Sequence, residues 1–141
     1  MSTDTAKNSS GKITQIIGPV ITAEFESELP AIYHSLEMDH GGKRLVFEVQ
    51  QHLGGNEVKA VAMDSTDGLK RGMPIAGTGA PITVPVGEKT LGRMFSVIGD
   101  PIAGKEAPKG AAMLPIHRNA PDFADLATSS EVFETGIKVI D

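Results

Sequence analysis

The sequence predicts a mainly-β fold, with a small six-stranded barrel over residues 11–86 followed by a stretch of different pattern over 87–141. One observation is strand-period alternation. Leu45, Phe47 and Val49 make an apolar face against Val46, Glu48 and Gln50, and residues 57–63 run back as a second strand after Gly54-Gly55. A second is punctuation, because 16 glycines and 9 prolines break the 141 residues into short runs, which favours strands over helices. The third is economy: six or so short strands in about 75 residues leave no unpaired edge if they close into a barrel.

Taken in order, residues 1–10 (MSTDTAKNSS) are small and polar and are expected to form a loose tail. Order should begin at Gly11, with Ile13 and Ile17, then Ile21, Ala23 and Phe25, marking two strands bent about Gly18-Pro19. Thr22, Glu24 and Glu26 are expected to face water. A connection through Leu29-Pro30, Tyr33 and Leu36 and a charged loop from Asp39 to Lys43 lead into the hairpin. Then comes Asp64-Ser65-Thr66-Asp67-Gly68-Leu69, whose short oxygen-bearing side chains suit a capped helical turn ended by Gly68 in the left-handed conformation. Gly72-Met73-Pro74 starts another strand, and residues 82–87 close the series, with a domain boundary expected near Val86.

Beyond Glu88 the period changes. Leu91, Met94, Phe95 and Ile98 recur at helical spacing and predict a short amphipathic helix ended by Gly99. A Gly/Pro/Lys-rich excursion follows, then one helical turn over 122–126 with a proline at its start. Residues 134–141 begin an element that the chain does not finish.

Composition excludes several functions. A net charge of -5 repels a phosphate backbone, and an aromatic content of 4% without Trp poorly supplies a base-stacking platform, so nucleic acid is not expected as a partner. Zero cysteines removes disulfides, thiolate zinc sites and cysteine nucleophiles together. No apolar run approaches the roughly 20 residues of a membrane helix, and the N-terminus lacks a signal-peptide core, so membrane association is expected only through other subunits.

Candidate chemistry is weighed against simpler readings. The Asp64 to Leu69 run lacks the alternate ligand positions and distant glutamate of a calcium loop, and reads as a structural turn rather than a phosphate or metal site. Gly99-Asp100-Pro101-Ile102-Ala103-Gly104-Lys105-Glu106 has the glycine and lysine spacing of a phosphate-binding loop. Yet Pro101 has no N–H to give, Glu106 stands where a hydroxyl should hold magnesium, and Pro108 stops the supporting helix. It reads as a surface turn. His34, His40, His52 and His117 show no zinc spacing and are expected to be solvated or locally hydrogen-bonded. For His117-Arg118 an interdomain structural contact is favoured. Nothing orients a base against a nucleophile, so no catalytic triad is assigned.

In sequence order, Gly11-Lys12-Ile13, Ile17-Gly18-Pro19-Val20, Val49-Gln50-Gln51-His52-Leu53-Gly54, Ala62-Met63-Asp64-Ser65-Thr66-Asp67-Gly68-Leu69, Gly79-Ala80-Pro81-Ile82 and Val84-Pro85-Val86-Gly87 form a series of blocks. Leu91-Gly92-Arg93, Gly99-Asp100-Pro101-Ile102, Pro115-Ile116-His117-Arg118 and Glu134-Thr135-Gly136-Ile137-Lys138-Val139-Ile140-Asp141 continue it. Each block alone is weak, but in this order they are specific. The chain resembles the N-terminal part of the β subunit of F-type ATP synthases, from Gly11 to the end. The Gln-Gln-His-Leu-Gly and Met-Asp-Ser-Thr-Asp-Gly-Leu blocks are similar to the catalytic β rather than the noncatalytic α subunit. Residues 103–113 depart most from the family pattern and receive no role.

The resemblance implies an N-terminal crown barrel over 11–86, and over 87–141 the incomplete start of an α/β nucleotide-binding domain, cut before its phosphate loop. It implies α subunits as partners in an alternating three-plus-three ring, and a central stalk reached through the missing C-terminal part. No nucleic acid partner and no direct membrane insertion are implied. The parent would lie on the cytoplasmic side of a bacterial inner membrane, making ATP from ADP and phosphate with a proton gradient and using Mg-ATP/ADP. Because the family's catalytic residues fall beyond the position matching Asp141, no catalytic, cofactor-binding or metal-binding residue is expected here, and this chain alone should be inactive. Ring assembly is its expected role, with residues 84–87 near the hinge. The competing expectation is an independent noncatalytic barrel module binding a protein partner, which should finish its last element.

Overall fold

The computed structural model describes residues 9–102, 104, 106–126, 129 and 132–140. Its strands are β1 (Ser10–Ile17), β2 (Val20–Phe25), β3 (His34–His40), β4 (Lys43–Gly54), β5 (Glu57–Ala62), β6 (Pro74–Pro81), β7 (Thr83–Val86) and β8 (Ala112–Pro115). The first six close into an antiparallel barrel in the order β1-β2-β5-β4-β3-β6, while β7 and β8 form a separate two-stranded sheet. The expected barrel is therefore present. Its closing strand is Pro74–Pro81 and not residues 82–87, which leave the barrel at Ile82.

Period-2 alternation builds the core. Ile13, Ile21, Ala23, Phe25, Leu36, Met38, Leu45, Phe47, Val49, Val58, Ala60 and Ile75 point inward and pack together. Closure pairs Ser10 with Ala76, Gly11 with Ile75 and Lys12 with Pro74 at the β1–β6 seam, where Gly77 N–H also donates to Ser9 O at 2.8 Å. On the other side of β6, Ser35 and Thr78 hydroxyls lie 2.6 Å apart and both donate toward Ala80 O. They satisfy backbone groups where a register shift between His34 and Leu36 interrupts the β3–β6 ladder.

The β4–β5 hairpin turns on a two-residue loop. Gly54 pairs with Glu57, so Gly55 (φ 59°) and Asn56 (φ 66°) are the central pair, both left-handed as a type I′ turn requires. This moves the expected turn one residue along, because Gly54 belongs to β4 beside a bulge. Seating of the expected apolar face is met, but the opposite face is not all solvated. Val46 and Glu48 are buried, because the chain after the barrel lies across outer β4, where Val46, Ser96, Ile98 and Asp100 line one cleft. Thr22 is likewise buried rather than in water, screened by its cross-strand neighbours Gln15 and Lys59.

The Asp64 to Leu69 run is not a helical turn. Asp64 Oδ1 accepts from Ser65 N–H at 2.7 Å, Ser65 Oγ accepts from Asp67 N–H at 3.2 Å, and Leu69 N–H donates to Thr66 O at 3.1 Å. The Ser65 Oγ and Leu69 N–H bonds are those of an ST-turn and a β-turn, with Gly68 at φ 83° as expected. The amphipathic helix expected from Leu91 to Ile98 is also absent. In its place stand a 3-10 turn at Glu88–Thr90 and a tight reversal in which Phe95 bridges Pro101. Helical spacing was coincidental there: Leu91 and Met94 are exposed, so those side chains form no common buried face within the described residues. A single 3-10 turn, Phe123–Asp125, falls where one helical turn was expected. Of the expected loose tail, residues 1–8 lie outside the described residues, and Ser10 already begins β1.

Candidate functional site

The outer face of β4 carries a buried carboxylate, Glu48, with partners from β4 itself and from the segment after β8. Strand period aims Val46 and Glu48 outward, and the segment after β8 brings His117 back over them. Glu48 is buried, with 7% of its side chain exposed. Its Oε1 accepts from Gln50 Nε2 at 2.6 Å and its Oε2 from His117 Nε2 at 2.8 Å. Both carboxylate oxygens are thereby partnered, which a buried carboxylate needs. The His117 ring stacks on Tyr33, centroids 4.3 Å apart and planes 28° from parallel. Tyr33 holds a left-handed backbone (φ 68°), and its N–H donates to Val49 O at 2.8 Å.

Nearby, Arg44 reaches Glu37 Oε1 at 3.2 Å through Nη1 and Asp100 Oδ2 at 3.3 Å through Nη2. This second link between barrel and following segment is half-exposed, so solvent screening leaves it worth at most about 1 kcal/mol. Arg44, Glu37 and Asp100 belong to the lining of a cleft of about 380 Å³ together with Ser35, Thr78 and Ile82.

A separate open cleft of about 610 Å³ lies on the β1–β2–β5 flank among Thr14, Thr22, Leu53, Glu57, Lys70 and Arg71. Thr14 Oγ1 donates to Glu57 Oε1 at 3.1 Å within it. It combines an apolar side chain with exposed cations and presents no base against a nucleophile.

The histidines stay apart. His40 Nε2 donates to Asp67 O and His52 Nε2 to Pro30 O, each at 2.8 Å, so they and His117 are hydrogen-bonded, but to partners distant in sequence rather than local ones. His34 lies in β3, its backbone N–H bonded to Ala31 O at 3.0 Å. The His117 contact with Glu48 joins the barrel to the segment beyond it. Among the described residues no group of three or more His, Cys, Asp or Glu side chains is placed to hold a metal ion.

The Gly99 loop is described except for Ala103 and Lys105, which lie outside the described residues. Gly99 N–H donates to Ser96 O at 3.0 Å, Asp100 N–H to Ser96 Oγ at 3.2 Å and Ile102 N–H to Met94 O at 2.9 Å. A Cβ on Gly99 would stand 2.8 Å from Pro85 Cδ, so the turn is seated against β7. The amides of Gly99, Asp100 and Ile102 are thus spent on internal bonds, and Pro101 has none to offer a phosphate.

The Glu48–His117 pairing was not assigned from sequence. A lone carboxylate between Phe47 and Val49 was the available sign, but period alone placed it in solvent.

Residues 13–79 match the family model of the β-barrel domain of the ATP synthase alpha/beta family. The matched span runs from the inward Ile13 of β1 through most of β6, and so covers most of the closed barrel.

Proposed function

We propose that this chain is the N-terminal part of the catalytic β subunit of an F-type ATP synthase, and that its barrel serves to assemble the ring of the catalytic head. The observation that carries the reading is the coincidence of a closed six-stranded barrel with the family match over 13–79. Choice of β over α rests on the Val49 to Gly54 and Ala62 to Leu69 blocks. In this reading α subunits flank the barrel in a three-plus-three ring, the central stalk is met by later parts of the subunit, and residues 84–87 lie near the hinge. The complex would be peripheral, on the cytoplasmic side of a bacterial inner membrane. No helix among the described residues is long and apolar enough to cross a membrane.

The parent's reaction is phosphoryl transfer, where magnesium and cationic groups stabilise the charged transition state. In this reading the Gly99 turn is not a nucleotide site, which is supported by the internal bonds of the Gly99, Asp100 and Ile102 amides and by Pro101 having none. No chemical step is therefore assigned to this chain.

Mixing the purified chain with F-type α subunits and resolving the products by size-exclusion chromatography with light scattering tests the reading. Co-elution with α, together with no magnesium-dependent ATP hydrolysis by the chain alone, is expected. Failure to associate with α would sink the assembly role, and hydrolysis that disappears in Lys105→Ala would sink the assignment of catalysis to residues beyond Asp141.

A further inference from the structure

The sheet β7–β8 is poorly equipped to stand alone. It pairs Thr83 with Pro115, Val84 with Leu114, Pro85 with Met113 and Val86 with Ala112, and none of these residues is buried. A two-stranded ribbon without a buried face is marginal in water, so something must anchor it. Backbone continuity at Ile82 supplies one end, where Ile116 N–H donates to Ile82 O at 3.0 Å. The Arg44–Asp100 pair is too exposed to hold it strongly.

Glu48 and His117 are different in kind. Among the described residues Glu48 is the single charged residue that is buried, and its partner comes from 69 positions away. His117 lies at the edge of the site, with 43% of its side chain exposed, so losing it would leave one oxygen of the otherwise buried Glu48 carboxylate without its protein partner. Tyr33 adds a second sign. A left-handed backbone is sparsely populated by non-glycine residues and persists where surrounding structure imposes it. Here the Tyr33 N–H bond to Val49 O, and the His52 bond to Pro30 O in the same loop, hold that backbone so that the ring lies flat on His117.

We infer that Tyr33, Glu48 and His117 form a latch that fastens the β7–β8 sheet to the outside of the barrel, and that opening it frees residues 83–116 as a unit while the barrel stays closed. The latch makes barrel and sheet one mechanical body. This inference rests on the contacts of Tyr33, Glu48 and His117 and not on the family reading.

Hydrogen–deuterium exchange followed by mass spectrometry on the full 141-residue chain tests it. In His117→Ala, peptides covering 83–86 and 112–116 should exchange about tenfold faster, the loss expected for one hydrogen bond to a charged group, while peptides over 20–25 and 57–62 stay unchanged. Tyr33→Gly removes the ring and relieves the backbone strain together. It should speed exchange in the same two segments without lowering the urea midpoint of the barrel, whereas a merely space-filling tyrosine would lower that midpoint. Unchanged exchange at 83–86 and 112–116 in both variants, or equal acceleration in the barrel peptides, overturns the latch.

Discussion

At the scale of single residues, close approach rather than side-chain chemistry sets the tightest demand, and Gly11 shows it. It sits in β1 opposite Phe25, and a Cβ there would stand 2.6 Å from Glu24 O and 2.8 Å from Phe25 Cδ1. A carbonyl held in the β1–β2 ladder cannot swing aside as a surface side chain could. Gly11→Ala should therefore cost about 1–3 kcal/mol by overpacking, read as a lower urea midpoint with an unchanged m-value. A variant as stable as the parent would show that β1 shifts freely at this point. The sequence signals onset of order at Gly11, but nothing in it reveals the contact with Phe25. Proximity across strands depends on register, and register is a property of two segments at once. Glu48 was illegible for a related reason: alternation says which way a side chain points, not whether later chain covers that side.

Elements were legible where local chemistry and burial agree. The β4–β5 hairpin combines strand period with glycine at its turn, and both flanking strands send alternate apolar residues into the core, Leu45, Phe47 and Val49 from β4 and Val58 and Ala60 from β5. The exact turn was displaced because Asn56 shares the left-handed role with Gly55. Asparagine tolerates that conformation better than other residues with a Cβ. Asn56→Ala should therefore destabilise the chain by about 1 kcal/mol and Asn56→Gly should not, a contrast measurable by thermal or urea unfolding. Equal losses in both would mean that the asparagine side chain, not backbone conformation, matters. The region from Leu91 to Ile98 shows the opposite situation. Four apolar residues at helical spacing suggested a helix, yet Gly92 (φ 68°) and Gly99 (φ 80°) bracket a reversal held by Ser96. Helix stability comes mostly from packing an apolar face, and the exposed Leu91 and Met94 have no such packing among the described residues. Likewise, the Asp64 to Leu69 side chains do bond to nearby amides as their chemistry dictates, but Thr66 Oγ1 donates instead to Gly18 O at 2.8 Å. That tertiary tie between two turns favours the open loop over a capped helical one.

Across the whole molecule, the barrel's integrity depends on a short seam. Five of the six joints between neighbouring barrel strands run through longer ladders or a side-chain network, whereas β1 meets β6 through the pairs from Ser10 to Lys12, continued by Ile13 N–H to Met73 O at 3.0 Å and Gly72 N–H to Ile13 O at 2.7 Å. Those pairs, with the bond from Gly77 N–H to Ser9 O, convert an open sheet into a closed one. Without them β6 would lose its partner on that side and present unpaired N–H and C=O groups, a template for association with another chain. Ile75, buried at the seam, would also lose its cover from Gly11. Two truncations separate the seam from the rest of the N-terminus. Removing residues 1–8 leaves every one of these pairs in place and should leave the melting temperature and the oligomeric state unchanged. Removing residues 1–12 deletes the three seam pairs and the Ser9 bond, leaving the Ile13 bonds to Gly72 and Met73, and should lower the melting temperature by several degrees or more and yield larger species than the parent by light scattering. A shorter chain that keeps the parent's size and melts with it would mean that these pairs contribute nothing to stability. In that case the core alone, from Ile13 to Ile75, would hold the six strands in their order.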